Sequence, residues 1–272
     1  MRRIMVTIAA VAGAALVPLH IRAGRAEPPD LEAAQRMFYS GRYADAAAVT
    51  ADLCTSDVEA LGACELRTSA LLFQLRRALG DASDKEETFA LCDACPELLS
   101  SFVAETRRGQ QIARARLNVH PHDEATLFFL GKLDLNYVWL QLGTLGRKTG
   151  WDEYWEARRS LDKVLTQNPH NVRAKVARAW IDYIVDTKMT RGTRWLLGGG
   201  NRKRALRAIR EAATADADRF VHAEAGFALW DMQVRERNVA EARATAARLL
   251  QDFPANSELR RFLDTHAQPV SQ

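Results

Sequence analysis

The sequence of 272 residues predicts an all-α protein, built as a solenoid of antiparallel helix pairs. Apolar residues recur at the period of an α-helix in nearly every segment, whereas the alternation of a half-buried strand is nearly absent. One spacing of apolar and small residues also recurs in several of these helices. Two glycine-bearing insertions interrupt the series, and a short amphipathic segment near the end is suited to cap it.

The first 26 residues have the features of a secretory signal sequence. Two arginines precede an apolar run over residues 4–17, and Gly24 and Ala26 place small residues before a cleavage point. The alternative is an uncleaved membrane anchor, but the run is shorter than the roughly 20 residues that span a bilayer. We therefore predict a signal sequence over residues 1–26 and a periplasmic or secreted protein, peripheral to a membrane at most.

The charge balance argues against a nucleic-acid partner. The whole chain has 38 basic and 34 acidic residues, a formal net charge of +4. The signal sequence contains four arginines and no acid, so the remaining chain has 34 residues of each sign. A protein of balanced charge has no general attraction for nucleic acid or for an anionic membrane surface.

The predicted helical domain covers residues 27–265, and its first part, residues 27–119, is the less regular one. Asp84 and Glu87 have the spacing of a capping box at the start of a helix, and Pro96 separates two helices. The periodicity predicts helices over residues 31–37, 43–53, 58–79, about 85–93 and about 97–118.

All cysteines lie in this first part: Cys54, Cys64, Cys92 and Cys95. An even number in an exported protein favours disulfides. Cys92 and Cys95 form a C-x-x-C motif, which also occurs in redox pairs and in halves of zinc sites. No thioredoxin-like strand pattern precedes the motif, and a zinc site would need all four cysteines to converge. Structural disulfides are therefore predicted, with all three possible pairings open.

The second part, residues 120–265, is more regular, and its pattern is clearest between Trp151 and Pro169. Apolar and small residues there share one helix face, and the proline ends the helix. The face consists of Tyr154, Ala157, Leu161 and Val164. The spacing of the last three recurs at Ala205, Ile209 and Ala212 and again at Ala242, Ala246 and Leu249.

Two insertions separate the helices of this part, at residues 143–150 and 187–200. Residues 123–142 form its most apolar segment, which we expect at the centre of the stack. A terminal helix over residues 257–265 is expected to cover the open end of the solenoid, and residues 266–272 form a tail.

The aromatic, small and apolar residues before Pro169 resemble the second helix of a tetratricopeptide repeat. The last four helix pairs, about residues 110–254, share this resemblance. It implies a scaffold that binds a protein or peptide partner on its concave face. With its glycine-rich insertions, the chain is also similar to the periplasmic T-component of tripartite ATP-independent transporters, which implies a role as accessory to a transport system.

The strongest local charge anomaly lies in and after the second insertion, around the turn before a predicted helix. Eight basic residues and no acid occur between Lys188 and Arg210. Free N–H groups at the start of a helix can hold a carboxylate or phosphate, and arginines can strengthen that contact. The candidate ligand-binding residues are Arg194, Trp195, Gly199, Gly200, Asn201 and Arg202, together with Trp151, which directly follows the first insertion. The alternative is a solvated basic face.

Catalysis, metal binding and a cofactor are not predicted. The chain has no paired nucleophile and base at a known spacing, no P-loop and no dinucleotide motif. His120 and His122 cannot share a helix face because Pro121 separates them. Two functions remain: an exported scaffold for a protein or peptide partner in the cell envelope, or a transport accessory that binds an anionic, partly apolar small molecule.

Overall fold

A computed structural model describes residues 31–54, 60–80 and 82–267, apart from the side chain of Arg191. The predicted signal sequence lies outside these ranges, as do residues 268–272 of the predicted tail. All regular structure within the described ranges is helical. Its helices are α1 (Leu31–Tyr39), α2 (Tyr43–Leu53), α3 (Ala60–Leu79), α4 (Lys85–Ala90), α5 (Cys95–Val119), α6 (Glu124–Val138), α7 (Trp151–Gln167), α8 (Val172–Lys188), α9 (Arg191–Leu196), α10 (Arg202–Ala212), α11 (Arg219–Arg235), α12 (Val239–Asp252) and α13 (Ser257–Thr265).

The helices form five antiparallel pairs, which confirms the predicted fold class. The pairs are α1 with α2, α3 with α5, α6 with α7, α8 with α10, and α11 with α12. Each pair packs on the next, and α13 packs on α12 as a capping helix. The short helices α4 and α9 lie in connections, and α6 continues as a π-helical turn over Trp139–Thr144 into the first insertion.

Polar side chains at the helix starts fix several of these boundaries. Asp84 accepts hydrogen bonds from the backbone N–H groups of Glu86 and Glu87, so it caps α4 as the sequence predicts. Asp123 and Asn171, which follow the two proline-containing turns, cap α6 and α8 in the same way. The turns between pairs are therefore determined by local side-chain chemistry.

The register predicted for the third pair, α6 with α7, is confirmed. The four predicted face residues of α7 are buried: Tyr154, Ala157, Leu161 and Val164. A Cβ atom added to Gly131 of α6 would lie 3.0 Å from Cγ of Leu161 and 3.3 Å from the carbonyl oxygen of Ala157. Small residues on both helices therefore allow the two backbones to approach closely.

The four cysteines form two disulfides. Cys54 pairs with Cys64, and Cys92 pairs with Cys95. The first disulfide joins the end of α2 to α3, while the second closes the turn between α4 and α5. Both lie in the less regular first part, as expected.

The two ends of the solenoid touch each other. The Tyr39 ring at the end of α1 stacks on Phe227 of α11, with ring centroids 5.5 Å apart. Asn256, the N-cap of α13, donates from Nδ2 to the carbonyl oxygen of Tyr39 at 2.8 Å. Arg77 of α3 donates from Nη2 to Oε1 of Glu258 in α13 at 2.7 Å. The capping helix thus connects the last pair to the first pairs, and the solenoid closes into a ring.

Replacing Ala157 by Leu is expected to lower the free energy of unfolding by about 1 to 3 kcal/mol, because the added atoms meet α6 at its closest approach. Chemical denaturation of the two proteins measures the difference. Lys163→Leu, at an exposed position of the same helix, is the control and should change stability by less than about 0.5 kcal/mol. An unchanged midpoint for Ala157→Leu would contradict the register.

Protein purified without reductant and then denatured is expected to contain no titratable thiol, and four after reduction. Reduction should accelerate amide hydrogen exchange more in α1 to α5 than in α6 to α13, because both disulfides lie before α6. Mass spectrometry of exchanged peptides measures this difference. Four thiols in the unreduced sample would show that the cysteines are free.

Candidate functional site

Four helices from successive pairs meet at a charge cluster on the concave side of the ring. The cluster consists of Glu65 of α3, Lys132 of α6, Arg173 of α8 and Glu224 of α11. Glu224 accepts hydrogen bonds from Nζ of Lys132 at 2.8 Å and from Nε of Arg173 at 2.7 Å. Glu65 lies 3.7 Å from both cations. Two cations therefore balance two carboxylates.

The charge cluster is strongly coupled. Burial by itself raises the pKa of Glu224, but the charges of Arg173 and Lys132 outweigh it and lower this pKa to about 2. Burial lowers the pKa of Lys132, but the two carboxylates outweigh it and raise this pKa above its usual value. The Arg173 guanidinium also lies over the Phe128 ring, 4.5 Å from its centroid. The charges of the concave side are thus paired with one another.

An open cavity lies elsewhere, outside this cluster, where α8, α9, α10 and α11 meet. Its volume is about 810 Å³. Five cationic side chains and two carboxylates line it, which gives a net charge of +3. The lining residues are Tyr183, Asp186, Thr187, Lys188, Arg194, Gly200, Asn201, Arg202, Lys203, Arg235 and Glu236. We call it the basic cavity.

The second insertion forms one wall of the basic cavity because it folds back onto the helix pairs. The carbonyl oxygen of Leu197 accepts hydrogen bonds from the Tyr154 hydroxyl at 2.8 Å and from Arg158 at 3.0 Å. Gly198 and Gly199 both have positive φ angles, 75° and 73°, which glycine adopts without strain. These contacts hold α9 in place and direct the chain into α10.

Gly200 allows the insertion to approach α8 closely. A Cβ atom at this position would lie 2.6 Å from the carbonyl oxygen of Asp182 and 2.7 Å from the backbone nitrogen of Asp186. The sequence suggested that the glycines leave room for a bound anion. In the structure, the room at Gly200 is taken by the protein's own helix.

Asp186 occupies the anion position that we predicted at the start of α10. Its carboxylate accepts a hydrogen bond from the backbone N–H of Arg202 at 2.8 Å and another from the Arg194 guanidinium. Arg202 is also 3.3 Å from a carboxylate oxygen of Glu236. Both arginines proposed as direct ligand contacts are therefore engaged by carboxylates of the protein itself.

A second carboxylate, Glu236, also lines the cavity. It accepts a hydrogen bond from the Tyr183 hydroxyl at 2.8 Å. Burial and this carboxylate raise the pKa of Tyr183, so the hydroxyl keeps its proton at neutral pH. Arg235, next to Glu236, forms an ion pair with Asp231 at 3.0 Å.

Lys188 and Lys203 are the cations of the cavity that remain available. Both are exposed, and neither forms an ion pair with a described residue. Because the arginines are paired, these lysines are best placed to contact an added anion. The sequence contained them in the basic stretch but did not distinguish them from the arginines.

The structure brings together four of the seven predicted ligand-binding residues. Arg194, Gly200, Asn201 and Arg202 line the basic cavity, and Asn201 caps α10 by accepting from the N–H of Arg204 at 2.9 Å. Gly199 lies in the turn behind them but does not line the cavity.

The two predicted tryptophans lie outside the lining. Trp195 of α9 is 81 % exposed, beside Leu196 at 65 %, and Trp151 at the start of α7 is 38 % exposed. Both tryptophans are exposed, as expected from their places in or next to the insertions. Trp195 and Leu196 form an apolar rim on the helix that carries Arg194.

Sequence reasoning missed the acids that organise the cavity, Asp182 and Asp186 on α8 and Glu236 after α11. Asp182 pairs with Arg178 and with Arg204, whose Nη2 lies 2.8 Å from the carboxylate. A signal was present, because the two aspartates are one helical turn apart on α8, directly before the basic stretch. Such acids are natural partners for arginines that follow within one hairpin.

The described residues contain no group of three or more histidine, cysteine or acidic side chains that could hold a metal ion. None of the described helices has the length and apolar character needed to span a bilayer.

No family model and no curated protein sequence matches this chain. Among solved structures, a tetratricopeptide-repeat protein of the thermophile Thermus thermophilus is similar over 86 % of this chain and 95 % of that chain. The TM-score is 0.47 and the sequence identity 15 %. The assignment of an all-α solenoid of helix pairs therefore rests on the helices and their packing described above.

Glu224→Gln is expected to destabilise the ring by about 3 kcal/mol at neutral pH, because it leaves two buried cations with one carboxylate. The wild-type contribution is present above the unfolded carboxyl pKa and is lost as the pH falls toward the folded value of about 2. Denaturant unfolding should therefore show that the free energy of unfolding falls less between pH 7 and pH 2 in the variant than in the wild type.

Glu241→Gln is the matched control for this prediction. Glu241 pairs with Arg210 on the surface, where both side chains are about half exposed. Exposed pairs contribute less than about 1 kcal/mol. Equal effects of the two substitutions would show that the charge cluster has no special role in stability.

Proposed function

We propose that the protein is a scaffold that binds an acidic segment of a protein partner in the basic cavity. The observation that carries this proposal is the net charge of +3 in an open cavity whose two carboxylates are already engaged. Lys188 and Lys203 form no ion pair with a described residue and can therefore contact an added carboxylate. Long-range attraction by such a cavity speeds encounter with an acidic partner and favours it over a basic one.

The cavity is better suited to a protein segment than the concave side is. On the concave side, Lys132 and Arg173 are paired with Glu224 and Glu65, so an acidic peptide would have to displace them. Trp195 and Leu196, on the same insertion that forms a wall of the cavity, are exposed. Tryptophan is enriched among the residues that dominate protein interfaces, so this exposed pair supports binding of a protein partner to the insertion.

An anionic small molecule is the alternative ligand. Small-molecule sites are mostly apolar and enclose their ligands, whereas this cavity is open and polar. A role as accessory of a transport system would follow if such a molecule bound here. The polar lining makes a protein segment the better candidate.

We place this scaffold in the cell envelope of the producing organism, after export. The signal-like first 26 residues support export, and two disulfides support an oxidising compartment.

The proposal predicts that a fluorescein-labelled oligoglutamate peptide binds the protein, with an affinity that falls as salt is added. The double variant Lys188→Glu/Lys203→Glu should bind about tenfold or more weakly, because it turns the two available cations into acids. Fluorescence anisotropy measures binding, and circular dichroism confirms that the variant is folded.

The matched control is Lys163→Glu/Arg248→Glu, which makes the same change in net charge at exposed positions of α7 and α12. It should retain most of the affinity. Equal losses in both variants would show only unspecific attraction. Binding of small di- and tricarboxylates without binding of the peptide would favour the small-molecule alternative.

A further inference from the structure

The two disulfides differ in what they hold together. Cys54 and Cys64 are 10 residues apart in sequence, and their bond joins α2 to α3. Cys92 and Cys95 are only 3 residues apart, within one turn. The backbone N–H of Cys95 already donates to the carbonyl oxygen of Cys92 at 3.1 Å. This hydrogen bond can hold the turn after the second disulfide is broken, so that bond adds little constraint to the chain.

The two disulfides also differ in access. Cys54 and Cys64 are 1 % and 0 % exposed, so no thiol in solution reaches either sulfur without local unfolding. In the other pair Cys95 is fully buried, but Cys92 is partly exposed. An attacking thiolate can therefore reach Cys92, and Cys95 is then the sulfur that leaves.

Cys95 is placed to act as a leaving group. It is the first residue of α5, a helix of 25 residues, and the positive end of the helix dipole favours a thiolate there, whereas its burial in an apolar cluster opposes one. Asp93 and Glu97 oppose this effect, but both are exposed, and solvent and salt screen their charges. A better-stabilised leaving thiolate makes exchange faster.

An apolar groove of about 490 Å³ is lined by residues that precede and follow the motif in sequence. Phe89, three residues before Cys92, and Pro96, directly after Cys95, both line it. Leu99 and Val103 continue the groove along α5. The groove can hold apolar residues that flank a cysteine in an extended chain, while that cysteine reaches Cys92.

We propose that Cys92–Cys95 is an exchangeable disulfide that oxidises cysteine pairs of an extended polypeptide bound in this groove. A thiolate of the polypeptide attacks Sγ of Cys92, which forms a mixed disulfide and releases the Cys95 thiolate. The thiolate of the polypeptide's second cysteine then attacks the sulfur of its first cysteine in the mixed disulfide. A disulfide forms within the polypeptide, and the Cys92 thiolate is released. Two electrons pass to the protein, and a small-molecule disulfide such as glutathione disulfide restores its oxidised form.

The first experiment keeps the native protein intact and uses the buried disulfide as an internal control. The protein is equilibrated in buffers with an increasing ratio of reduced to oxidised glutathione, quenched with acid and alkylated. Mass spectrometry is expected to find Cys92 and Cys95 reduced while Cys54 and Cys64 remain oxidised. The proposal is wrong if both disulfides resist reduction. It is also wrong if both are reduced together while circular dichroism shows that the protein unfolds.

Two single variants test which sulfur is attacked. Cys95→Ala leaves Cys92 as a free thiol, and Cys92→Ala leaves the buried Cys95. Glutathione disulfide should modify Cys92 at least about tenfold faster than Cys95, because exposure controls thiol exchange. Equal rates would overturn the assigned roles, and the wild-type titration still decides if either variant fails to fold.

The groove is tested with two reduced dithiol peptides that have either phenylalanine or serine next to each cysteine. Val103→Asn should slow oxidation of the phenylalanine peptide several-fold and leave that of the serine peptide unchanged. Oxidation is followed by chromatography of the peptides. Equal effects on both peptides would remove the groove from the proposal, and no oxidation of either by wild-type protein would overturn the exchange itself.

Discussion

The closed ring depends on the charge cluster of Glu65, Lys132, Arg173 and Glu224. Buried charges are costly unless all of their partners are in place. Each cation here contacts both carboxylates, and each of the four side chains comes from a different helix pair. The cluster is therefore satisfied only when α3, α6, α8 and α11 have all docked. The cluster thereby links four successive helix pairs, and the contacts of α13 join the last pair to the first ones.

A solenoid that pairs its inner charges with one another leaves its outer surfaces for binding. The basic cavity is arranged by the same electrostatic rule, with Asp186 and Glu236 positioning Arg194 and Arg202. The difference is that the cavity has more cations than acids, whereas the cluster is balanced. An excess of one charge in an open site attracts a partner, and a balanced buried set only stabilises the fold.

The second insertion, which forms one wall of the basic cavity, is anchored on two neighbouring helices. It is held on α7 by Tyr154 and Arg158, and it touches α8 through Gly200. These contacts use the polar groups of the insertion for structure and leave Trp195 and Leu196 on its outer side. Large exposed apolar residues on an otherwise well-anchored segment are typical of an interaction surface.

The sequence by itself determined the helices, their buried faces and their caps. Tyr154, Ala157, Leu161 and Val164 could be assigned to one face because helical periodicity is a local property of the chain. Asp84 could be assigned as a cap for the same reason, and the basic stretch of the second insertion was visible as a local excess of charge. Such features depend on residues a few positions apart.

The tertiary structure decided the partners of these residues. It placed Asp186 at the anion position of α10, paired Glu224 with Lys132 and Arg173, and selected one of three cysteine pairings. Each of these outcomes depends on which distant segments meet and at what distance. Charge and thiol pairings depend on that geometry because electrostatic and covalent contacts act over a few ångströms, whatever the separation along the chain.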